Sequence, residues 1–380
     1  MKRELIATAS FGLEAVVRRE VQALGYRVLR TEDGKVTFEG DDDAIARCNL
    51  WLRTADRVLL KTGEFIAEEF EELYQMTKGI AWEKLIPVDG KFTVIGSSVK
   101  SVLHSVPACQ SIVKKAVVDR LADFYSAQHL PETGAEYTIK VTFLKNRATL
   151  TVDTTGEGLH KRGYRVAPVA APLKETLAAA MVELSFWKEG RFMVDPTCGS
   201  GTIAIEAALI GRNIAPGIAR HFASEEWDII PERTWKKERK AAEEAINKKA
   251  DIRIAASDIS AEAIEAAKQN AEAAGVSDCI EFTQMDIKEL EAKEDNGIMI
   301  MNPPYGARIG DRETIDGICS ALGAFFKKNP TWSLFLITAD KTAEMKTLGR
   351  KADRRRKLYN GNIEVTYFQF HGEKPERKKL

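Results

Sequence analysis

Between about Pro172 and Thr338 the sequence alternates two patterns, and this alternation restricts the fold more than any other feature. Over 173–186, 203–210, 261–274 and 315–327, apolar residues recur at helical spacing. Between them lie short apolar runs at 191–194, 252–256, 280–284, 298–301 and 332–338, bounded by Gly, Asp, Asn and Pro. The first pattern marks helices with one buried stripe, the second strands buried on both faces. A chain that returns through a helix between successive strands lays those strands parallel, with helices covering both faces of the sheet. The closing stretch KLYNGNIEVTYFQF reads differently, as two strands joined at Asn360-Gly361, a strong hairpin signal. Residues 171–380 are therefore predicted to form an α/β domain: a mostly parallel, doubly wound, Rossmann-like sheet ending in an antiparallel hairpin.

The front half is patterned otherwise. A strand at 4–10, a helix at 13–24, strands at 26–29 and 35–38, a helix at 44–50 and a strand at 57–65 give an α+β order of ferredoxin-like type. A second α+β unit follows, with helices at 70–78 and 109–124 and strands at 91–97, 137–144 and 147–153. The expected divisions are 1–60, 61–155, a Gly-, Thr- and Arg-rich linker at 156–170, and the α/β domain.

With 380 residues the chain is too long for one core. Its 56 Lys and Arg balance 56 Asp and Glu, so bulk charge makes no claim on nucleic acid or membrane. The basic surplus is local: twelve Lys or Arg against five Asp or Glu from 341 to 380, around Arg354-Arg355-Arg356-Lys357. Five scattered cysteines without C-x-x-C spacing, and five histidines without metal spacing, exclude a disulfide framework and argue against a metal site. No apolar run is long enough to span a bilayer, and a cytoplasmic location is expected.

In doubly wound sheets ligands sit beyond the carboxyl ends of the strands. The first strand here runs into DPTCGSGT: Asp195 closes it, Thr197 and Cys198 lie in the turn, and Gly199 and Gly201 let backbone approach a ligand. The turn is not a G-x-x-x-x-G-K-[ST] loop, which speaks against a nucleoside triphosphate. The second strand ends on Asp258, placed to accept from ribose hydroxyls, and the third on Asp286, placed to accept from an adenine amine. Each acid alone would also serve as a helix cap. Together they describe a site for an adenosine cofactor without phosphates, S-adenosyl-L-methionine.

The fourth strand stops on Asn302-Pro303-Pro304-Tyr305. The Asn302 side-chain oxygen and the Pro303 carbonyl can both accept from an amine on a planar ring, turning its conjugated lone pair outward. Pro304 stiffens the turn, and Tyr305 can stack on the ring. Positioning by fixed dipoles would do most of this chemistry.

These stretches resemble the THUMP-domain class I methyltransferases that modify guanine N2 in RNA. The likeness extends through GLHKRGYR (158–165), APLKETLAAAM (171–181), DPTCGSGTIAIEAA (195–208), NIAPG (213–217), SDIS (257–260), NPPYGAR (302–308) and KLYNG (357–361). It is strongest to the amino-terminal portion of the bacterial 23S rRNA guanine-N2 methyltransferases, here expected as a stand-alone form without the second methyltransferase domain of some members. The resemblance implies a ferredoxin-like module, a THUMP fold, and closure over the cofactor's methionine end by the segment around Thr176. It also implies that Lys161, Arg162, Tyr164, Arg165 and Arg308 face RNA. The expected partner is 23S rRNA or a large-subunit precursor. The same chemistry on tRNA shares every catalytic residue, and a non-catalytic RNA-binding protein is the reading of another class. DNA adenine and protein glutamine methyltransferases also use N-P-P-Y, but lack such a front half. The insertion at 213–249, with Trp227 and Trp235, is expected to be a cover helix.

Overall fold

The computed structural model describes residues 2–167, 172–304 and 312–373, with backbone only at 312–314. The chain divides into two compact units. One comprises Met1–Ala9, Val17–Leu159 and Arg220–Ala241; the other comprises Ser10–Val16, His160–Ala219 and Ala242–Leu380.

The first unit is built on β1 (Arg3–Ala9), β2 (Arg27–Glu32), β3 (Lys35–Gly40), β4 (Ala55–Ile66), β5 (Lys91–Val99), β6 (Glu136–Leu144) and β7 (Arg147–Asp153). Helices α1 (Glu14–Ala23), α2 (Asp42–Trp51), α3 (Phe70–Lys78) and α4 (Val106–Tyr125) connect them. The two expected modules are not separate. All seven strands form one sheet in the order β2-β3-β1-β4-β7-β6-β5, and the division expected at 60/61 falls inside β4. That strand pairs antiparallel with β1 on one side and β7 on the other. Residues 154–155, expected as linker, are buried: Thr155 donates to the Asn49 side-chain oxygen, and Asn49 donates to the Thr154 hydroxyl.

The second unit matches the expected doubly wound class. Its elements are α5 (Glu175–Leu184), β8 (Met193–Asp195), α6 (Thr202–Gly211), α7 (Glu232–Glu244, which begins in the stretch assigned to the first unit), β9 (Ile254–Asp258), α8 (Ala261–Ala273), β10 (Ile280–Gln284), β11 (Ile298–Met301), α9 (Arg312–Lys328), β12 (Ser333–Thr338), α10 (Ala343–Leu348), β13 (Arg354–Asn360) and β14 (Ile363–Phe370). The sheet order is β10-β9-β8-β11-β12-β14-β13. Strands β8 to β12 are parallel, and β14 is antiparallel to both β12 and β13. One core lies under α5, α6 and α8, and another on the face carrying α9 and α10. The strand order reverses between β8 and β11, the switch point where such sheets hold ligands.

The insertion departs from its expected place. Phe222, Trp227, Ile230 and Trp235 belong to the core of the first unit. Trp227 stacks on Tyr137 with ring centroids 4.8 Å apart, and Trp235 stacks on Phe222 at 5.4 Å. Arg47 holds the buried Glu238 of α7 through two bonds of 2.8 and 2.9 Å.

Candidate active site

The carboxyl ends of β8, β9 and β11, with the loop after β10, open into a cavity of about 620 Å³. The turn after β8 forms one wall. Gly199 and Gly201 have φ of +53° and +80°, a backbone that side chains rarely adopt, and a Cβ on Gly201 would stand 3.0 Å from that of Ala267 on α8. The Gly199 N–H donates to Asp258 Oδ2 (2.9 Å) and the Ser260 N–H to Asp258 Oδ1 (3.0 Å). Asp258 thus ties the end of β9 to the glycine turn, and each of its oxygens keeps a lone pair for a further donor.

Asp195 is buried; its Oδ1 accepts from the Thr197 N–H at 3.4 Å. Its Oδ2 has no partner in the structure, nor do the buried Thr197 Oγ1 and Asn302 Oδ1. All three residues line the cavity. Buried polar atoms without partners are costly, and three around one cavity mark a place built for a polar ligand. Burial, reinforced by the charge of Asp258, pushes the Asp195 carboxyl well above the usual carboxylate range. Burial, with both acids nearby, also raises the Cys198 thiol, which removes it as a thiolate nucleophile. Asp286 is a cap and a wall residue at once. It accepts from the Lys288 N–H at 3.0 Å in a short 3₁₀ turn and lines the cavity. Asn302, Pro303 and Pro304 line it from the end of β11. Tyr305 and Arg308 lie outside the described residues.

Thr176 and Gly201 are not on the wall. Thr176 is buried in the first turn of α5, while Pro172 and Leu173 reach the cavity from that segment. The basic cluster of the linker requires a correction. Lys161 is exposed, but Arg162 and Tyr164 are buried on Glu206 of α6. Arg162 Nε lies 3.3 Å from its carboxylate, and the Tyr164 hydroxyl donates to it at 3.0 Å. Arg165 braces the glycine turn to the segment before α5. It donates to Ser200 Oγ (2.9 Å), Thr202 Oγ1 (3.1 Å), the Leu173 carbonyl (3.1 Å) and Glu175 Oε1 (2.9 Å). These three side chains face inward because Glu206 sits in an otherwise apolar, buried helix and requires partners. Asn270 of α8 was not anticipated either. It accepts from the Val166 and Ala167 N–H groups and donates to the Ser200 carbonyl. The available signal was a polar residue inside an apolar stripe, Glu in TIAIEAALI and Asn in AEAIEAAKQNAEA.

These residues fit an adenosine cofactor. Carboxylates close three neighbouring strands, a glycine turn gives backbone access, and Lys288 is the one cation among the described lining residues, which leaves no cradle for phosphates. A Rossmann-like sheet with this edge defines a methyltransferase domain. Residues 162–369 match the RMKL-like methyltransferase domain, 4–59 the RlmL ferredoxin-like domain and 67–153 the THUMP domain. The chain belongs to the THUMP-containing, RMKL-like methyltransferases.

Among its relatives is the Bacillus subtilis (strain 168) protein named "Putative RNA methyltransferase YpsC", 49% identical over 100% of this chain and 98% of that one. "Ribosomal RNA large subunit methyltransferase K/L" of Psychromonas ingrahamii (strain DSM 17664 / CCUG 51855 / 37) is 34% identical over 93% of this chain, which spans 48% of its length. Among solved structures, SMU.472 complexed with SAH has a TM-score of 0.93 and 42% identity, covering 98% of this chain and 99% of that one. A "predicted N6-adenine-specific DNA methylase" from Listeria monocytogenes str. 4b F2365 has a TM-score of 0.93 and 47% identity, covering 98% and 97%.

Proposed function

We propose that this protein is an S-adenosyl-L-methionine-dependent RNA methyltransferase that methylates the exocyclic N2 amine of a guanosine in 23S rRNA, taking the target base out of its helix. The observation that carries this reading is the unpartnered, buried Asn302 Oδ1 at the end of β11, on the cavity wall formed by Asp195 and Asp258. The SAH in SMU.472 supports the cofactor, and the printed names of YpsC and the K/L relatives support RNA and large-subunit rRNA. Bound S-adenosyl-L-methionine supplies an electrophilic methyl group on a sulfonium. Asp258 would accept from its ribose hydroxyls and Asp286 from its adenine amine, and the oxygens of Asp195 and Thr197 lie free for its polar groups.

The chain's own part in the chemistry is orientation. Asn302 Oδ1 and the Pro303 carbonyl each accept one N–H of the target amine, which holds both protons away from the cofactor and turns the nitrogen lone pair toward the methyl group. The prolines keep these two acceptors at a fixed spacing. Nothing in this scheme requires a side chain that titrates near neutrality.

Nucleoside mass spectrometry of separated rRNA and tRNA, from cells with and without the gene, tests the reading. N2-methylguanosine should fall in the 23S fraction and return with the wild-type gene but not with Asn302→Ala. Loss confined to tRNA would move the substrate. Loss of N6-methyladenosine instead, in DNA or RNA, would overturn the target amine.

A further inference from the structure

Beside the cavity mouth lies a surface that none of the chemistry above uses. The hairpin of β13 and β14 presents Asn360 and Ile363 to the cavity, and Ile363 is 51% exposed. One residue before Asn360, Tyr359 packs edge-to-face with Phe11, their ring centroids 6.0 Å apart. Phe11 is 48% exposed, although it belongs to a short N-terminal segment folded onto this unit. Gly12 makes that approach attainable: its φ is +91°, and a Cβ there would lie 2.5 Å from the Lys357 carbonyl oxygen. The exposed phenyl ring is therefore held in place by a turn that excludes other residues.

Along β13, alternate residues share a face, so Arg355, Lys357 and Tyr359 form a stripe ending at the cavity mouth. Their spacing is roughly 7 Å per step, about that of successive phosphates in an extended single strand. Lys357 Nζ also sits 5.6 Å from the Tyr359 ring centroid. Both cations are engaged by carboxylates, Arg355 by Glu344 and Lys357 by Glu364, and all but Glu344 of these side chains are 39 to 52% exposed. Exposed pairs of this kind are weak and exchange readily for a phosphate. An exposed ring beside exposed cations, continuous with a cavity for a base, has the composition of a single-strand binding platform.

We propose that Phe11, Tyr359, Lys357 and Arg355 form the track for the unpaired nucleotides that flank the target base. The aromatic pair stacks one flanking base, and the two cations face the phosphates leading away from the cavity. This rests on the RNA reading above and adds the place where the strand runs.

The test is fluorescence anisotropy with a labelled oligouridylate, titrated onto the full chain over a range of salt. The double variant Phe11→Ala, Tyr359→Ala should bind about tenfold more weakly, and Tyr359→Phe, which keeps the ring, should recover most of what Tyr359→Ala loses. Glu364→Gln should act in the opposite sense: freeing Lys357 should tighten binding at low salt and steepen the slope of log K against log salt by about 0.7. Affinity for S-adenosyl-L-methionine, measured by calorimetry, should stay within twofold in all of them. The proposal is overturned if the double variant binds like wild type, if Glu364→Gln leaves the slope unchanged, or if cofactor affinity falls in parallel. Methyl transfer to bulk RNA by the wild-type chain separates the two failures. Activity with indifferent variants removes the track alone, whereas no binding and no activity removes the RNA reading with it.

Discussion

One oxygen of the Asp195 carboxyl rests on a backbone N–H and the other has no partner, so burial holds its proton more tightly than the unfolded chain does. The sign of the linkage follows. A carboxyl whose folded-state pKa lies above its ordinary value of 3.8 contributes no penalty while both states are protonated. As pH rises from that ordinary value through the folded one, the unfolded state releases its proton first and the fold loses stability. Asp195→Asn removes the ionisation and keeps an oxygen for the Thr197 N–H. Without cofactor the variant should melt higher than wild type near about pH 7, with the gain disappearing below about pH 4. Melting curves across that range check it, and a gain independent of pH would mean that ionisation is not its source. Arg165 yields a second prediction at this scale. Its four bonds join Ser200 and Thr202 to Leu173 and Glu175, two sides of one cavity. Arg165→Ala should weaken cofactor binding about tenfold by calorimetry, since hydrogen bonds to charged groups contribute roughly 1.5–3 kcal/mol each, with Arg165→Lys intermediate. If RNA affinity fell while cofactor affinity held, Arg165 would be the surface residue its linker position suggested.

Among the elements, those with an apolar period could be read in advance, and those whose burial depends on distant polar partners could not. The strands β8 to β12 and the helices between them are legible because each carries its own apolar signal, and the glycine turn and N-P-P-Y are legible because their chemistry is contiguous. Helix α7 is different. Its sequence, ERTWKKERKAAEE, is mostly charged, and its buried stripe runs through Thr234, Trp235, Glu238 and Ala242. Glu238 is an inward residue only because Arg47, 191 positions away, meets it. The linker misled for the same reason: nothing local to GLHKRGYR shows that Glu206 is buried on the other side of Arg162 and Tyr164. The same element carries a prediction about packing. Trp227 is 1% exposed and stacked on Tyr137, so Trp227→Ala should cost about 3–5 kcal/mol, read as a lower midpoint in urea unfolding. Trp227→Phe should recover a large part of it, and an unchanged midpoint for the alanine variant would show that the insertion does not support that core.

For the whole molecule, the consequence is that the units are not consecutive pieces of chain. The first unit draws Arg220–Ala241 from the middle of the second, and the second draws Ser10–Val16 from the start of the first. A cut near residue 155, natural from the sequence alone, would strip the front unit of Phe222, Trp227, Ile230 and Trp235 and leave that apolar surface on the remaining fragment. It would also remove Leu13 and Val16, which lie in the core beneath α5 and α6. Fragment 1–159 expressed alone should therefore bind hydrophobic dyes and unfold without a sharp transition. The same fragment carrying 220–241 on a flexible linker should regain a cooperative melt by near-ultraviolet circular dichroism. The 160–380 fragment should stay soluble and bind cofactor only when 220–241 is replaced by a short polar turn and residues 10–16 are supplied. Cooperative folding of 1–159 by itself would show that the front unit is complete without the insertion. The tryptophans would then stabilise a fold that does not depend on them.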